Sequence, residues 1–230
     1  MRGEVVGQPE SIVSAAQGVD GLTAMIHCGD RTTWIVEPIP MRLRQGRRSL
    51  HVSYRMQDRL PVGGKCGTAN VPEAKPPEVQ FAPAGAFVAP RFHYAKIAFD
   101  SEVEYYRGTV EGTMNAIEAL LNSVDAIYTR DVQISYVLTA IVVRTTEPDP
   151  YHGDNATNLL EQFRTHWNAN HTAIDRDVAH LLTGRDLDGS TIGIAHLGTI
   201  CLRPAYSYGL SGNQSVCVAH IRSASQYHGA

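Results

Sequence analysis

Apolar and polar positions change their period along the chain. Up to residue 68 short apolar runs are cut by turn residues at Gly7-Gln8-Pro9, Gly18, Asp20-Gly21, Gly29-Asp30 and Gly63-Gly64. Between them Thr32–Val36 and Leu50–Tyr54 read as strands. Frequent turns with little helical period predict a small all-β unit over 1–68. Arg42, Arg44, Arg47 and Arg48 around Gly46 read as a solvated hairpin tip. Over 69–90 Pro72, Pro76, Pro77, Pro83 and Pro90 interrupt the pattern. Proline lacks a backbone donor and stiffens the chain, so this stretch reads as a linker.

Beyond the linker strand and helix periods alternate. Tyr94–Phe99 reads as a strand. Met114, Ile117, Leu121, Val124 and Tyr128 recur at three and four residues, an amphipathic helix. Ile134–Val143 is the strongest strand; its second half is apolar on both faces, which predicts the centre of a sheet. Asp154 reads as the N-cap of a second helix carrying Leu160, Phe163 and Trp167. Asp177–Leu182 and Thr191–Cys201 follow as strands, joined through the turn Asp186–Gly189. This order predicts the α/β (α+β) class: a mostly parallel twisted sheet, two long helices and an antiparallel edge strand.

Composition narrows the functional classes. With 230 residues and 43% hydrophobic content the chain can bury a core in one or two domains. A net charge of −3 provides no basic field, which argues against nucleic acid and anionic membrane as partners. The apolar run Tyr136–Val143 is broken by Thr139 and falls short of the roughly 20 residues of a membrane span. Met1-Arg2-Gly3-Glu4 leads straight into Val5-Val6, so no signal peptide is visible. Four cysteines are too few and too scattered for a disulfide scaffold.

Two stretches carry a family resemblance. Asp177–Cys201 holds Leu181-Leu182-Thr183-Gly184, Thr191-Ile192-Gly193 and Gly198-Thr199-Ile200-Cys201 in register. It resembles the segment before the active-site helix of adamalysin/reprolysin (ADAM-like) metzincin zinc endopeptidases. Gly63-Gly64-Lys65-Cys66-Gly67-Thr68 is similar to the cysteine switch that ends the propeptide in that family. Arg2–Gly7, Thr33–Pro38 and His51–Arg55 resemble its propeptide strands.

The resemblance implies a propeptide portion over 1–68, the linker 69–90 and a catalytic-domain portion over 91–230. It implies zinc, a peptide or protein substrate, hydrolysis by zinc-activated water and an extracellular setting. The Cys66 thiolate would hold the open zinc position in the latent form, and flanking glycines would allow its close approach. Ile192, Gly193, Ile194, Ala195, His196 and Leu197 would form the edge strand with which substrate pairs. Gly193 would admit the substrate backbone, and His196 would lie at the surface or in a subsite. Asp177 would bind structural calcium, although Lys96 stands where its acidic partner is expected. Cys201 is the disulfide candidate.

The sequence departs from the family at its centre. The motif HExxHxxGxxH places two His on one helix face around zinc, with a Glu between them as general base. Ala219-His220 imitates its start, but Ile221 stands in place of Glu and Ala224 in place of the second His. No general base is assigned, and His220 remains a zinc-ligand candidate, with His228 the residue it would pair with. One reading is a metalloendopeptidase sequence cut short or shifted in frame after about Gly212 and therefore inactive. A second is a non-catalytic pseudo-protease module that binds peptide along its edge strand. A third is an inhibitor acting on another protease through Cys66.

Overall fold

The computed structural model describes residues 1–39, 43–44, 50–59, 63–69, 92–196, 199 and 207–212. The chain forms two compact units. One gathers Met1–Val62 and Arg107–Ile127, the other Gly63–Tyr106 and Tyr128–Ser215.

The first unit is an antiparallel meander of β1 (Arg2–Val5), β2 (Gln8–Gly18), β3 (Gly21–His27), β4 (Thr33–Pro38) and β5 (His51–Arg55), paired in chain order. The three segments that resemble propeptide strands are β1, β4 and β5. The β2–β3 turn closes on Gly21, whose φ of +129° only glycine adopts readily. A Cβ there would lie 2.7 Å from His51 Nε2, the atom that accepts the Leu22 N–H at 2.9 Å. Arg44 departs from the solvated-tip expectation. It is buried, and its guanidinium donates to the carbonyls of Ile39 and Asp20 and pairs with the Asp20 carboxylate at 3.5 Å. Arg42, Arg47 and Arg48 lie outside the described residues.

Helix α1 (Val110–Val132) contributes its first five turns to this unit. Its buried face runs through Thr113, Ile117, Leu120, Leu121 and Ser123, while Met114 and Tyr128 are exposed. The apolar spacing misplaced this face because hydroxyl side chains share it. Thr113 donates to the Thr109 carbonyl and Ser123 to the Ala119 carbonyl, so each is satisfied within the helix and can be buried.

The second unit is a six-stranded sheet in the order β6-β10-β11-β9-β7-β8. Its strands are β6 (Lys65–Ala69), β7 (His93–Ser101), β8 (Ile134–Val143), β9 (Val178–Leu182), β10 (Thr191–His196) and β11 (Tyr208–Ser211). β8, β7, β9 and β11 are parallel; β10 runs against β11, and β6 runs parallel to β10. The mixed sheet agrees with the predicted class, with three differences of position. β8 is an edge strand, because an apolar run reports covered faces rather than the number of neighbours. β9 and β10 are not adjacent: β11, too short to stand out in the sequence, lies between them. The antiparallel β10 is not the last strand, because β6 lies outside it.

Helix α2 (Ala156–Asn170) covers one face of this sheet. Leu159, Leu160, Phe163 and Trp167 are fully buried against Ala98, Ala179, Leu181, Ile194 and Leu210. Each such side chain contributes roughly 1.5–3 kcal/mol by leaving water. The N-cap is Asn155, whose side chain accepts the Asn158 N–H at 3.0 Å, one position beyond the predicted Asp154. Asp154 instead gives its carbonyl to the Asp188 N–H. Among the described residues no helix is long and apolar enough to cross a membrane.

Candidate functional site

The predicted docking strand and the predicted switch segment meet in one ladder. Cys66 pairs with Gly193, Gly67 with Ile194, Thr68 with Ala195 and Ala69 with His196. The Lys65 N–H donates to the Ser190 carbonyl at 2.6 Å. Glycine makes this approach feasible. A Cβ on Gly64 would lie 2.2 Å from Ile192 Cγ2, and one on Gly67 would lie 3.3 Å from Ile194 Cγ1. Cys66 itself is exposed.

Alternation along β10 separates two sets of side chains. Ile194 and His196 are buried on the α2 side. Ile194 joins the core, and His196 Nε2 lies 3.1 Å from Glu161 Oε1 with its side chain 2% exposed. His196 is therefore buried and not at the surface, because strand parity puts it on the same face as Ile194. Ala195 is exposed. The close neighbour of Gly193 is the Leu210 carbonyl of β11, 2.7 Å from where a Cβ would stand, so this glycine serves the sheet's own pairing. Leu197, Cys201 and His220 lie outside the described residues.

Asp177 sits at the start of β9, where its Oδ2 accepts the Lys96 N–H at 2.8 Å. The Lys96 ammonium pairs with Asp175. A positive side chain thus occupies the neighbourhood proposed for calcium. Among the described residues no group of three metal-type donors includes Asp177. Those residues also offer zinc no site: the one such group is of carboxylates, Glu102, Glu104 and Asp149. The sequence contains no HExxHxxGxxH.

Sequence reasoning missed a buried polar centre. Asp100, with no exposed surface, ends the apolar stretch of β7. It accepts two hydrogen bonds from Arg144, at 2.9 and 2.7 Å, one from the Tyr151 hydroxyl at 2.6 Å and one from Trp167 Nε1 at 2.7 Å. Burial, with the adjacent Asp100 charge, pushes the Tyr151 hydroxyl far above its ordinary range. The four residues join β7, the chain beyond β8 and α2 through satisfied donors. An aspartate directly after Ile97-Ala98-Phe99 was the available signal. Nearby, burial raises the Glu102 carboxyl to about 7 against the pull of Thr183 and Arg185.

A family described as Reprolysin_5, of metallo-peptidase family M12, matches residues 91–229. The chain belongs to the M12 metallopeptidase family. The match takes in both helices and every strand from β7 to β11. Metalloproteinase-II from Bacteroides fragilis has a similar structure, with a TM-score of 0.52 and 13% identity over 90% of this chain. At that identity the likeness is one of fold. The chain spans 64% of that protein's length.

Proposed function

We propose that this chain is the latent portion of a secreted M12 metalloendopeptidase, in which Lys65–Ala69 covers the strand that docks peptide substrate. One observation carries the reading: β6 lies along β10 in a continuous parallel register from Cys66 to Ala69. A peptide docks on a sheet edge by taking its free N–H and C=O groups, a sequence-tolerant mode of binding. β6 already takes them on β10, so a peptide must displace it. The N-terminal strands similar to propeptide strands, and the Lys65-Cys66-Gly67 sequence of β6, support the same reading.

The described residues are assigned peptide docking and latency, not bond cleavage, because zinc has no donor set among them. The replacements Ile221 and Ala224 favour a second reading, a non-catalytic member of the family that binds peptide along β10.

Gly64→Val tests the docking assignment, since its added Cβ meets Ile192. Hydrogen exchange on the full chain should show protected Gly193–His196 amides in the wild type. It should show their deprotection in the variant, with gain of binding to a synthetic extended peptide. Unchanged protection together with unchanged peptide binding overturns the assignment. Chelator-sensitive cleavage of that peptide by the variant favours the peptidase; binding without cleavage favours the second reading.

A further inference from the structure

Two Asn-x-Thr triplets bracket α2, Asn155-Ala156-Thr157 at its start and Asn170-His171-Thr172 at its end. That pattern is the acceptor of N-linked oligosaccharide, and it calls for a surface position in a secreted protein. The structure places both triplets at the surface. Asn155, Thr157, Asn170 and Thr172 are all exposed. The middle residue of each turns inward. Ala156 is buried in the core beneath α2, and the His171 ring lies 4.7 Å from that of buried Trp167. Each amide and its hydroxyl partner therefore face solvent together, held there by the anchored residue between them. A third triplet, Asn213-Gln214-Ser215, lies outside the described residues.

The bonds these two side chains make survive attachment of a sugar. Attachment replaces one hydrogen of Nδ2 and leaves the side-chain oxygen and one N–H. At Asn155 the fold uses the oxygen: Oδ1 accepts the Asn158 N–H at 3.0 Å as the cap of α2. Its Nδ2 donates to Asp188 Oδ2 at 3.3 Å, for which one hydrogen suffices. At Asn170 the Nδ2 donates to the His166 carbonyl at 2.9 Å, and one hydrogen again suffices. The contact given up there is the 3.2 Å approach of Nδ2 to His166 Nδ1.

We infer that Asn155 and Asn170 are modified with N-linked oligosaccharide, one at each end of α2. The inference rests on the secreted setting of the reading above. In the transfer, Nδ2 forms a bond to the anomeric carbon of an oligosaccharide carried on a lipid pyrophosphate. The bond from that carbon to the pyrophosphate oxygen breaks, the pyrophosphate leaves with the electron pair, and Nδ2 gives up one proton. Nothing is oxidised or reduced. The 15 residues of α2 hold the two attachment points about 22 Å apart, so the two sugar chains stand separately.

The test is the full chain, expressed behind a cleavable signal peptide in a eukaryotic secretory host. Peptide mapping after N-glycosidase in heavy-oxygen water should find Asn155 and Asn170 each converted to labelled Asp. Thr157→Ala and Thr172→Ala keep both asparagines and their hydrogen bonds. Each should empty its own site and leave the other filled. Hydrogen exchange at the Asn158 amide should stay within about threefold of the same chain made in a host without the transferase, because the cap oxygen is untouched. An unmodified Asn155 or Asn170, a site still filled without its threonine, or faster exchange at Asn158 than this overturns the inference. Empty sites in a secreted chain whose Gly193–His196 amides are protected overturn it alone. Filled sites with those amides unprotected support it and overturn the docking assignment instead.

Discussion

Cys66 and Gly193 face each other across the parallel β6–β10 ladder, and the α-hydrogen of Gly193 points at the Leu210 carbonyl on the other side. Gly193 therefore lies between two strands, β6 and β11. Its lack of a side chain lets β10 approach β11, and through that approach it fixes where Cys66 lies. Gly193→Ala should force the backbone to shift, since the obstructing atom is a main-chain oxygen. The expected cost is about 1–3 kcal/mol, with faster amide exchange in Tyr208–Ser211 and Cys66–Ala69 together. Denaturant melts with hydrogen exchange check it; a loss confined to one of the two strands contradicts the shared role.

Asp100 is the acceptor on which Arg144, Tyr151 and Trp167 converge. Asp100→Ala leaves an arginine that is 18% exposed without its partner, and two buried donors unmatched. A loss of about 3–5 kcal/mol is expected. Trp167→Phe keeps most of the ring volume and loses one hydrogen bond, so about 1–2 kcal/mol is expected. Urea melts check both. A cost for Asp100→Ala below that for Trp167→Phe would mean that Asp100 is not the hub of the cluster.

The class of the second unit was legible because it rests on local pattern. The stripe Leu160, Phe163, Trp167 follows period alone and is buried as expected, whereas Ile134–Val143 forms its strand at the edge of the sheet and not at its centre. Strand order was not legible. β11 is a four-residue strand. It enters the sheet between β9 and β10, which sequence proximity had joined. The Asp100 cluster was hidden for a related reason: its members are far apart in the chain, and an aspartate beside an apolar run does not reveal three donors arriving from elsewhere. The burial of His196 was not legible because the resemblance gave it a position in the family but not a face of the strand.

His180 lies between Phe99, 5.9 Å from its ring centre, and Ser211, whose Oγ is 2.9 Å from its Nε2. Burial lowers its pKa from 6.5 to about 4. The unfolded chain therefore binds a proton at His180 more readily than the folded one. Stability from this residue is present above pH 6.5 and is lost as pH falls through about 4. Proton-linked NMR should find the His180 ring neutral at pH 5, and His180→Gln should flatten the acid side of the stability curve. A ring that titrates near 6.5 contradicts the prediction.

Glu37 raises the opposite dependence in the first unit. It is 2% exposed and borders a cavity of about 410 Å³ shared with Gly18–Gly21 and with Gly112 and Asn115 of α1. Its Oε2 is buried without a hydrogen-bond partner. Burial raises the carboxyl from 4.5 to about 7, and the Tyr54 hydroxyl and Arg59 charge pull it back only in part. The folded state holds this proton more tightly than the unfolded chain, so stability falls as pH rises from about 4.5 to about 7 and is level above that. Glu37→Gln keeps the shape and removes the charge. It should be nearly neutral at pH 4.5 and stabilising at pH 8 by up to about 3 kcal/mol. Urea melts of wild type and variant at both pH values, followed by the fluorescence of Trp34 on β4, measure the difference within the unit that holds Glu37. An equal difference at the two pH values would mean that Glu37 folds with its charge, and that the cavity carries a cation or water able to meet it.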